Sequence, residues 1–236
     1  MVHELGAKHL ADPTRLIDSA SPVYGPLLDS LYGRLLPVEQ DQLIAATDGL
    51  NLDLGEGKKL TLINSPGHAK HHLAVFDNQS GTLLVGDAVG VRLPEIGVLR
   101  PAAPPPDFDL ELAIGSLHKF RELKPTQVVL THYGPVENAD ETLAEAEDVL
   151  HQWVDEAKRI LTANVDATVD EIAEGFAAAF LDQSVDSEEA QKRLELLNGI
   201  HSNAMGISRY LKLQEETHAA EHHHHDHDHH HHDDAS

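Results

Sequence analysis

The chain reads as an α/β protein whose character changes twice along its length. Three observations predict this: helical apolar spacing with proline punctuation before residue 50, short apolar runs between Gly and Asn turns from 50 to 131, and helical periodicity from 139 onward. Its 236 residues are ample for a buried core.

Glu4 to Leu10 is helix-like, Asp12-Pro13 opens another turn, and Leu27 to Leu36 carries apolar residues at helical spacing. The period then shortens. Leu52, Leu54, Leu60, Leu62 and Ile63 flank Gly55-Glu56-Gly57 as two short strands. His72 to Phe76 and Thr82 to Val85 are two more, joined by Asp77-Asn78-Gln79-Ser80-Gly81, whose Asn and Gly tolerate turn angles. Residues 92 to 107 hold five prolines, and since proline supplies no backbone donor, this stretch is expected to run over the surface. Phe108 to Leu123 is an amphipathic helix and Gln127 to Thr131 a buried strand. From Gly134-Pro135 the chain is expected to be helical to its end, over Ala139 to Ala163, Val169 to Leu181 and Ser187 to Leu213, with Asp170 and Ser187 near helix starts as caps. Trp153, Phe176, Phe180 and Tyr210 are expected to pack these helices onto the sheet. The implied organisation is a mixed part over 1–137, a helical part over 138–218 and a tail over 219–236.

Composition excludes several classes. There is no cysteine, which removes disulfide scaffolds and thiolate zinc fingers. Forty acidic against 17 basic side chains give a formal charge of -23, so neither nucleic acid nor anionic lipid is an expected partner, and small molecules and cations are. No apolar run approaches the ~18 residues of a membrane span and no leader pattern opens the chain, so a cytoplasmic location is expected.

Three polar residues stand where apolar strands run out: His68 after Leu60-Thr61-Leu62-Ile63, Asp87 after Leu83-Leu84-Val85-Gly86, and His132 after Val128-Val129-Leu130-Thr131. Pro66-Gly67, Gly86 and Gly134-Pro135 border them, which presents each side chain on a tight loop at a strand end, where sites are built in sheets flanked by helices. Two imidazoles and a carboxylate without thiolate suit zinc first, and iron(II) or manganese as alternatives. The same set suits a mononuclear iron centre for oxygen chemistry. Strand alternation points His71 and His72 to opposite faces, so at most one approaches this centre, as a hydrogen-bond partner before a ligand. Arg100 and Asp107 read as a structural ion pair before a substrate contact, and Tyr133 as a packed loop residue before an oxyanion donor.

Ser65-Pro66-Gly67-His68-Ala69, Val85-Gly86-Asp87-Ala88 and Leu130-Thr131-His132-Tyr133-Gly134-Pro135 resemble the later three motifs of the metallo-β-lactamase superfamily, in the same order. From Val2-His3-Glu4 to Pro135 the text is similar to its glyoxalase-II-like branch. The resemblance implies an αββα sandwich with metal at one edge of two facing sheets, His68 on a first metal, Asp87 bridging, and His132 on a second. It further implies hydrolysis of an ester, thioester or related bond with a metal-bound hydroxide as nucleophile.

The family's first motif, His-x-His-x-Asp-His, is nowhere in the sequence. Because that motif precedes the segment resembling Val2-His3-Glu4, the chain is expected to start after it, with an incomplete sandwich and uncovered apolar sheet faces that favour association with another chain or copy. The three remaining ligands would hold at most one metal, and activity is expected of the longer product.

Nine of the 19 histidines fall between His222 and His232, and Glu221 to Asp234 reads EHHHHDHDHHHHDD. Such a segment has nothing to bury and is expected to be disordered, and its mixed His and Asp donors make a labile chelator of zinc, nickel or copper. A non-enzymatic metal-binding protein is therefore a third functional class beside hydrolase and oxygenase.

Overall fold

The computed structural model describes residues 1–132, 134–136, 138–181 and 188–227. Its centre is a six-stranded sheet in the order β10-β9-β6-β5-β4-β3. The strands are β3 (Asn51–Asp53), β4 (Lys59–Asn64), β5 (Leu73–Asp77), β6 (Thr82–Gly86), β9 (Gln127–Leu130) and β10 (Gly134–Val136). β3 to β6 form an antiparallel meander, whereas β6 and β9 run parallel because helix α4 (Leu110–Glu122) lies in their connection. Asp109 starts α4 by accepting the Leu112 N–H at 2.9 Å.

One face of the sheet is the core. Ile63, Ala74, Leu83, Val85, Val128 and Leu130 pack with Ala113, Leu117 and Phe120 of α4 and with Leu143, Ala146 and Leu150 of α5 (Ala139–Ala163). The cluster continues without a break into α6 (Val169–Phe180) through Ile172 and Phe176, and into α8 (Ile200–His227) through Ile207 and Tyr210. The opposite face carries a row of partners Leu62, Val75, Leu84 and Val129 across four strands. Leu84, in the middle of that row, is 44% exposed, which is unusual for a leucine on a central strand and marks an uncovered apolar face.

Before the sheet, β1 (Val2–His3) pairs in parallel with β2 (Ala45–Ala46), and α1 (Glu4–Ala11), α2 (Thr14–Tyr24) and α3 (Leu28–Tyr32) lie between them in sequence. The helical spacing read over Leu27 to Leu36 yields only a 3-10 turn at Gly25–Leu27 and the short α3, ended by Gly33 at φ 69°.

The structure corrects several expectations. Gly134 to Val136 is a strand before the helices begin, tolerated at the sheet edge where Pro135 needs no donor. The last helical stretch is two helices, α7 (Glu188–Leu197) and α8, broken at Asn198-Gly199; Ser187, proposed as a cap, lies outside the described residues. Thr168, two residues before Asp170, caps α6 through a reciprocal bond pair with Glu171. Trp153, Phe176 and Phe180 hold helix to helix, with Trp153 and Phe180 stacked at 5.0 Å, while Tyr210 packs edge-on against Phe108 and donates to Glu111.

The largest correction concerns 92–107, which is only partly on the surface: Pro94, Glu95, Gly97, Val98 and Pro106 are exposed and much of the rest is buried. Val91–Arg92 (β7) and Leu99–Arg100 (β8) pair antiparallel, and Leu93, Leu99, Arg100 and Ala103 are buried beneath α7 and α8. Proline removes the donors that water would have to satisfy, and the remaining backbone groups find side chains: Asn203 Oδ1 accepts from Ala103 N–H, Asn198 Nδ2 donates to Pro101 O, and Arg209 donates to Pro106 O. Nor do Arg100 and Asp107 pair with each other. Arg100 pairs with Glu195 at 3.1 Å and Asp107 with Lys70 at 3.4 Å.

Helix α8 extends to His227, so its backbone continues past Leu213 into the histidine tract, and 228–236 lie outside the described residues. No helix among the described residues is long and apolar enough to cross a membrane.

Candidate metal centre

The three strand ends converge. His68 Nε2 lies 3.7 Å from Asp87 Oδ2, and His132 Nε2 lies 3.7 Å from Asp87 Oδ1. Each imidazole therefore faces a different oxygen of one carboxylate. Both separations are too long for a hydrogen bond. Two donors ~2.1 Å from one tetrahedral ion stand about 3.4 Å apart, so a small inward movement turns each pair into one edge of a coordination shell.

Sequence-local devices place each residue. Gly67 sits at φ 133° with a virtual Cβ 2.4 Å from the Ala113 Cα, so the turn before His68 lies flat on α4 as only glycine permits. Ser116 Oγ donates to Pro66 O at 2.7 Å and Asp109 N–H to Gly67 O at 3.0 Å, which pins that turn from the same helix. His68 Nδ1 lies 3.0 Å from Ala102 O. A carbonyl only accepts, so Nδ1 carries the hydrogen and Nε2 faces Asp87 with its lone pair.

His72 is the partner of Asp87, and it stands in the turn before β5, not on the strand. Its Nε2 accepts the Asp87 N–H at 3.1 Å, so Nδ1 bears the ring hydrogen and donates to Ser65 Oγ at 2.7 Å. Burial first, and then the neighbouring His68, pushes the imidazole down to about 4, which keeps it neutral and able to accept at neutral pH. Gly86 at φ 55° leaves room for this ring, because a Cβ there would stand 2.3 Å from His72 Nε2. A His72→Ala variant is expected to lose about 1–3 kcal/mol by leaving a buried N–H unpaired, read by urea unfolding. His71 is exposed and lies near Gly6 of α1.

A cavity of about 260 Å³ opens over these groups, walled by Val91 and Pro104 on one side and by Leu196, Leu197, Ser202 and Asn203 at the α7–α8 elbow on the other. Glu195 is the one further charged side chain in its lining, and no Lys or Arg is part of it among the described residues. Sequence reasoning missed Ser65, Ala102, Asn198 and Asn203. Only Asn198-Gly199 carried a signal, as a turn dipeptide inside a helical pattern.

The donors fit a divalent cation. Asp87 Oδ1 is buried without a hydrogen-bond partner, and an orphaned carboxylate oxygen facing the His132 imidazole is what a cation relieves. Among the described residues no three His, Asp or Glu side chains close around a single point, so the arrangement is two His–carboxylate pairs sharing Asp87. Tyr133 lies outside the described residues.

Comparison with known proteins bears on the family and the fold. The family model described as metallo-beta-lactamase superfamily matches residues 3–132. The metallo-beta-lactamase fold-containing protein ST1585 of Sulfurisphaera tokodaii is 35% identical over 122 residues, which are 52% of this chain and 44% of that protein, so the chain spans less than half the length of this curated relative. A crystal structure of ST1585 from Sulfolobus tokodaii aligns over 88% of this chain and 69% of its own at TM-score 0.61 and 27% identity. That coverage takes in much of the helical region as well as the sheet. The metallo-beta-lactamase family protein TTHA1429 from Thermus thermophilus shares the fold at TM-score 0.60 and 18% identity, over 91% of this chain and 66% of its own.

Proposed function

The chain belongs to the metallo-β-lactamase superfamily, and on that premise we propose that the cleft of His68, Asp87 and His132 is the metal centre of a hydrolase for small, uncharged esters or thioesters. One observation carries the proposal: the two Nε2 atoms face the two different oxygens of Asp87, each at 3.7 Å, with Oδ1 otherwise unpartnered. His68, Asp87 and His132 would hold the ion, Asp87 presenting a different oxygen to each histidine. The same two histidines and carboxylate are the donor set of a mononuclear iron centre, and bound iron with oxygen uptake in place of zinc or manganese would favour that second reading.

A zinc-like ion would supply Lewis acidity and a nucleophile at neutral pH. The chain's own residues do the rest. His68 and His132 offer imidazole nitrogens on either side, Asp87 would offset the ion's charge, and His72 holds the Asp87 backbone in place. These three residues are fewer than the four donors that zinc takes, so solvent or further donors would complete its shell. Leu196 and Leu197 line the cavity beside these groups, and with Glu195 and no Lys or Arg in the described lining, an anionic substrate would have the ion alone for a positive partner.

The histidine tract of the tail is a second chelator by composition, so total metal uptake does not measure the centre. The test compares the full chain with Asp87→Asn, which retains the tail. Zinc or manganese bound by the former beyond the latter, with hydrolysis of a small neutral thioester faster than that of a phosphodiester, is the expected result. Equal metal content and equal rates in the two proteins would remove the proposal and leave the tail as the metal-binding part.

A further inference from the structure

The centre is supported from two directions, and one of them is the helical region. The Ala102 carbonyl that fixes the His68 ring lies between two residues held by asparagines of the α7–α8 elbow. Asn198 Nδ2 donates to Pro101 O at 2.9 Å, and Ala103 N–H donates to Asn203 Oδ1 at 2.7 Å. The asparagines are joined to each other, Asn203 Nδ2 donating to Asn198 Oδ1 at 2.6 Å. They are 8% and 1% exposed, so this is a buried, mutually satisfied amide pair whose remaining bonds go to the loop on either side of Ala102. Arg100 closes the arrangement by donating to Asn198 O at 2.8 Å.

Close approach makes this contact possible. A Cβ at Gly206 of α8 would stand 1.9 Å from Ala103 O, so the helix rides directly on the loop backbone. Any movement of the elbow is therefore passed to 101–103, and from there to the one carbonyl, 3.0 Å from His68 Nδ1, that decides which ring nitrogen carries the hydrogen.

We infer that Asn198 and Asn203 are positioning residues for His68: through the loop 101–103 they fix the tautomer and direction of the imidazole that faces Asp87. The inference rests on the proposed metal centre for its purpose, but its first readout needs no metal. Without the Ala102 carbonyl in place both imidazole tautomers become accessible, and only one of them directs a lone pair at the Asp87 side.

The test uses the full chain labelled with 15N histidine and free of metal, with the His68 ring signals identified by their loss in His68→Gln. The wild type is expected to show a single tautomer protonated at Nδ1. Asn203→Ala is expected to give a mixture, and cobalt(II) affinity of the centre, read against Asp87→Asn as the blank for the tail, is expected to fall by about 10–100-fold. Asn203→Asp, which keeps an acceptor for Ala103 N–H, is expected to restore the single tautomer, which a role in stability alone would not explain. Asn198→Ala cuts the other tether and carries the same test should Asn203→Ala not fold. A single, unchanged His68 tautomer in a folded Asn203→Ala or Asn198→Ala protein overturns the inference. Absence of cobalt binding beyond the Asp87→Asn blank overturns the metal reading of the site instead, and leaves the tautomer result to decide the positioning role.

Discussion

Asp87→Asn is expected to abolish metal binding at the His68–His132 cleft and to cut hydrolysis on the order of 10³-fold or more, while the metal-free protein melts no lower than the wild type. The two effects have opposite origins. On the proposed reading the carboxylate would be a donor to the ion, and the several kcal/mol of charge stabilisation that a bound ion provides would disappear with it. In its absence the same oxygen is a cost, because Asp87 Oδ1 is buried with no hydrogen-bond partner beside two imidazoles. An amide of the same shape carries less desolvation penalty there. Added zinc should raise the melting temperature of the wild type, since a ligand at ~100 times its dissociation constant contributes about 2.7 kcal/mol to the folded state. The asparagine variant should show only what the tail gives. Scanning calorimetry with and without zinc reads both halves, and a metal-free variant several degrees less stable than the wild type would show that the Asp87 carboxylate supports the fold in its own right.

Gly67→Ala is the second large effect, a loss of more than about 3 kcal/mol in unfolding free energy. Two penalties coincide at that position. The backbone is at φ 133°, a conformation L-residues rarely adopt, and the added Cβ would meet the Ala113 Cα at 2.4 Å and the Ala113 N at 2.5 Å. Those atoms are helix backbone and cannot rotate away. The control is Gly57→Ala, where φ is 80° and nothing lies within 4 Å of the virtual Cβ, so only the conformational penalty of about 1–2 kcal/mol applies. Denaturant unfolding should separate the two by at least ~1 kcal/mol, and equal midpoints would mean that the turn before His68 is not seated on α4 as described. Any Gly67→Ala protein that does fold should also bind metal more weakly, because the turn that yields is the one that carries His68.

The strands and their end residues were legible in the sequence because both signals are local. Leu60 to Ile63, Leu83 to Val85 and Val128 to Leu130 are apolar runs, and His68 follows the first by five residues while Asp87 and His132 follow theirs by two. The fold brings these three together, and the family's spacing gave their order. What supports them was not legible, because it is not local. Asn198 and Asn203 reach Pro101 and Ala103 across 97 and 100 residues, and no periodicity encodes such a contact. The helix break at Asn198-Gly199 was hidden by apolar spacing that continues on both sides of it. The burial of 92–107 was misread for a related reason: prolines exclude a regular strand, but they do not decide whether water or asparagine serves the groups that remain. Gly134–Val136 is a strand too short to show alternation at all.

The uninterrupted cluster from Ile63 and Leu83 through Leu143 to Phe176 and Ile207 has a thermodynamic consequence. Sheet and helices share their buried surface, so neither can lose its packing while the other retains it, and the free energy of opening α6 or α8 should approach that of the whole. Hydrogen exchange at the amides of Leu83 and Ile207 should then report the same opening event, with one calorimetric transition in place of two. A helical region that melts with the sheet holds its elbow as firmly as the strands hold Asp87, so loosening anywhere in α6 or α8 should be felt as lost affinity at the cleft before it is seen as an unfolded protein.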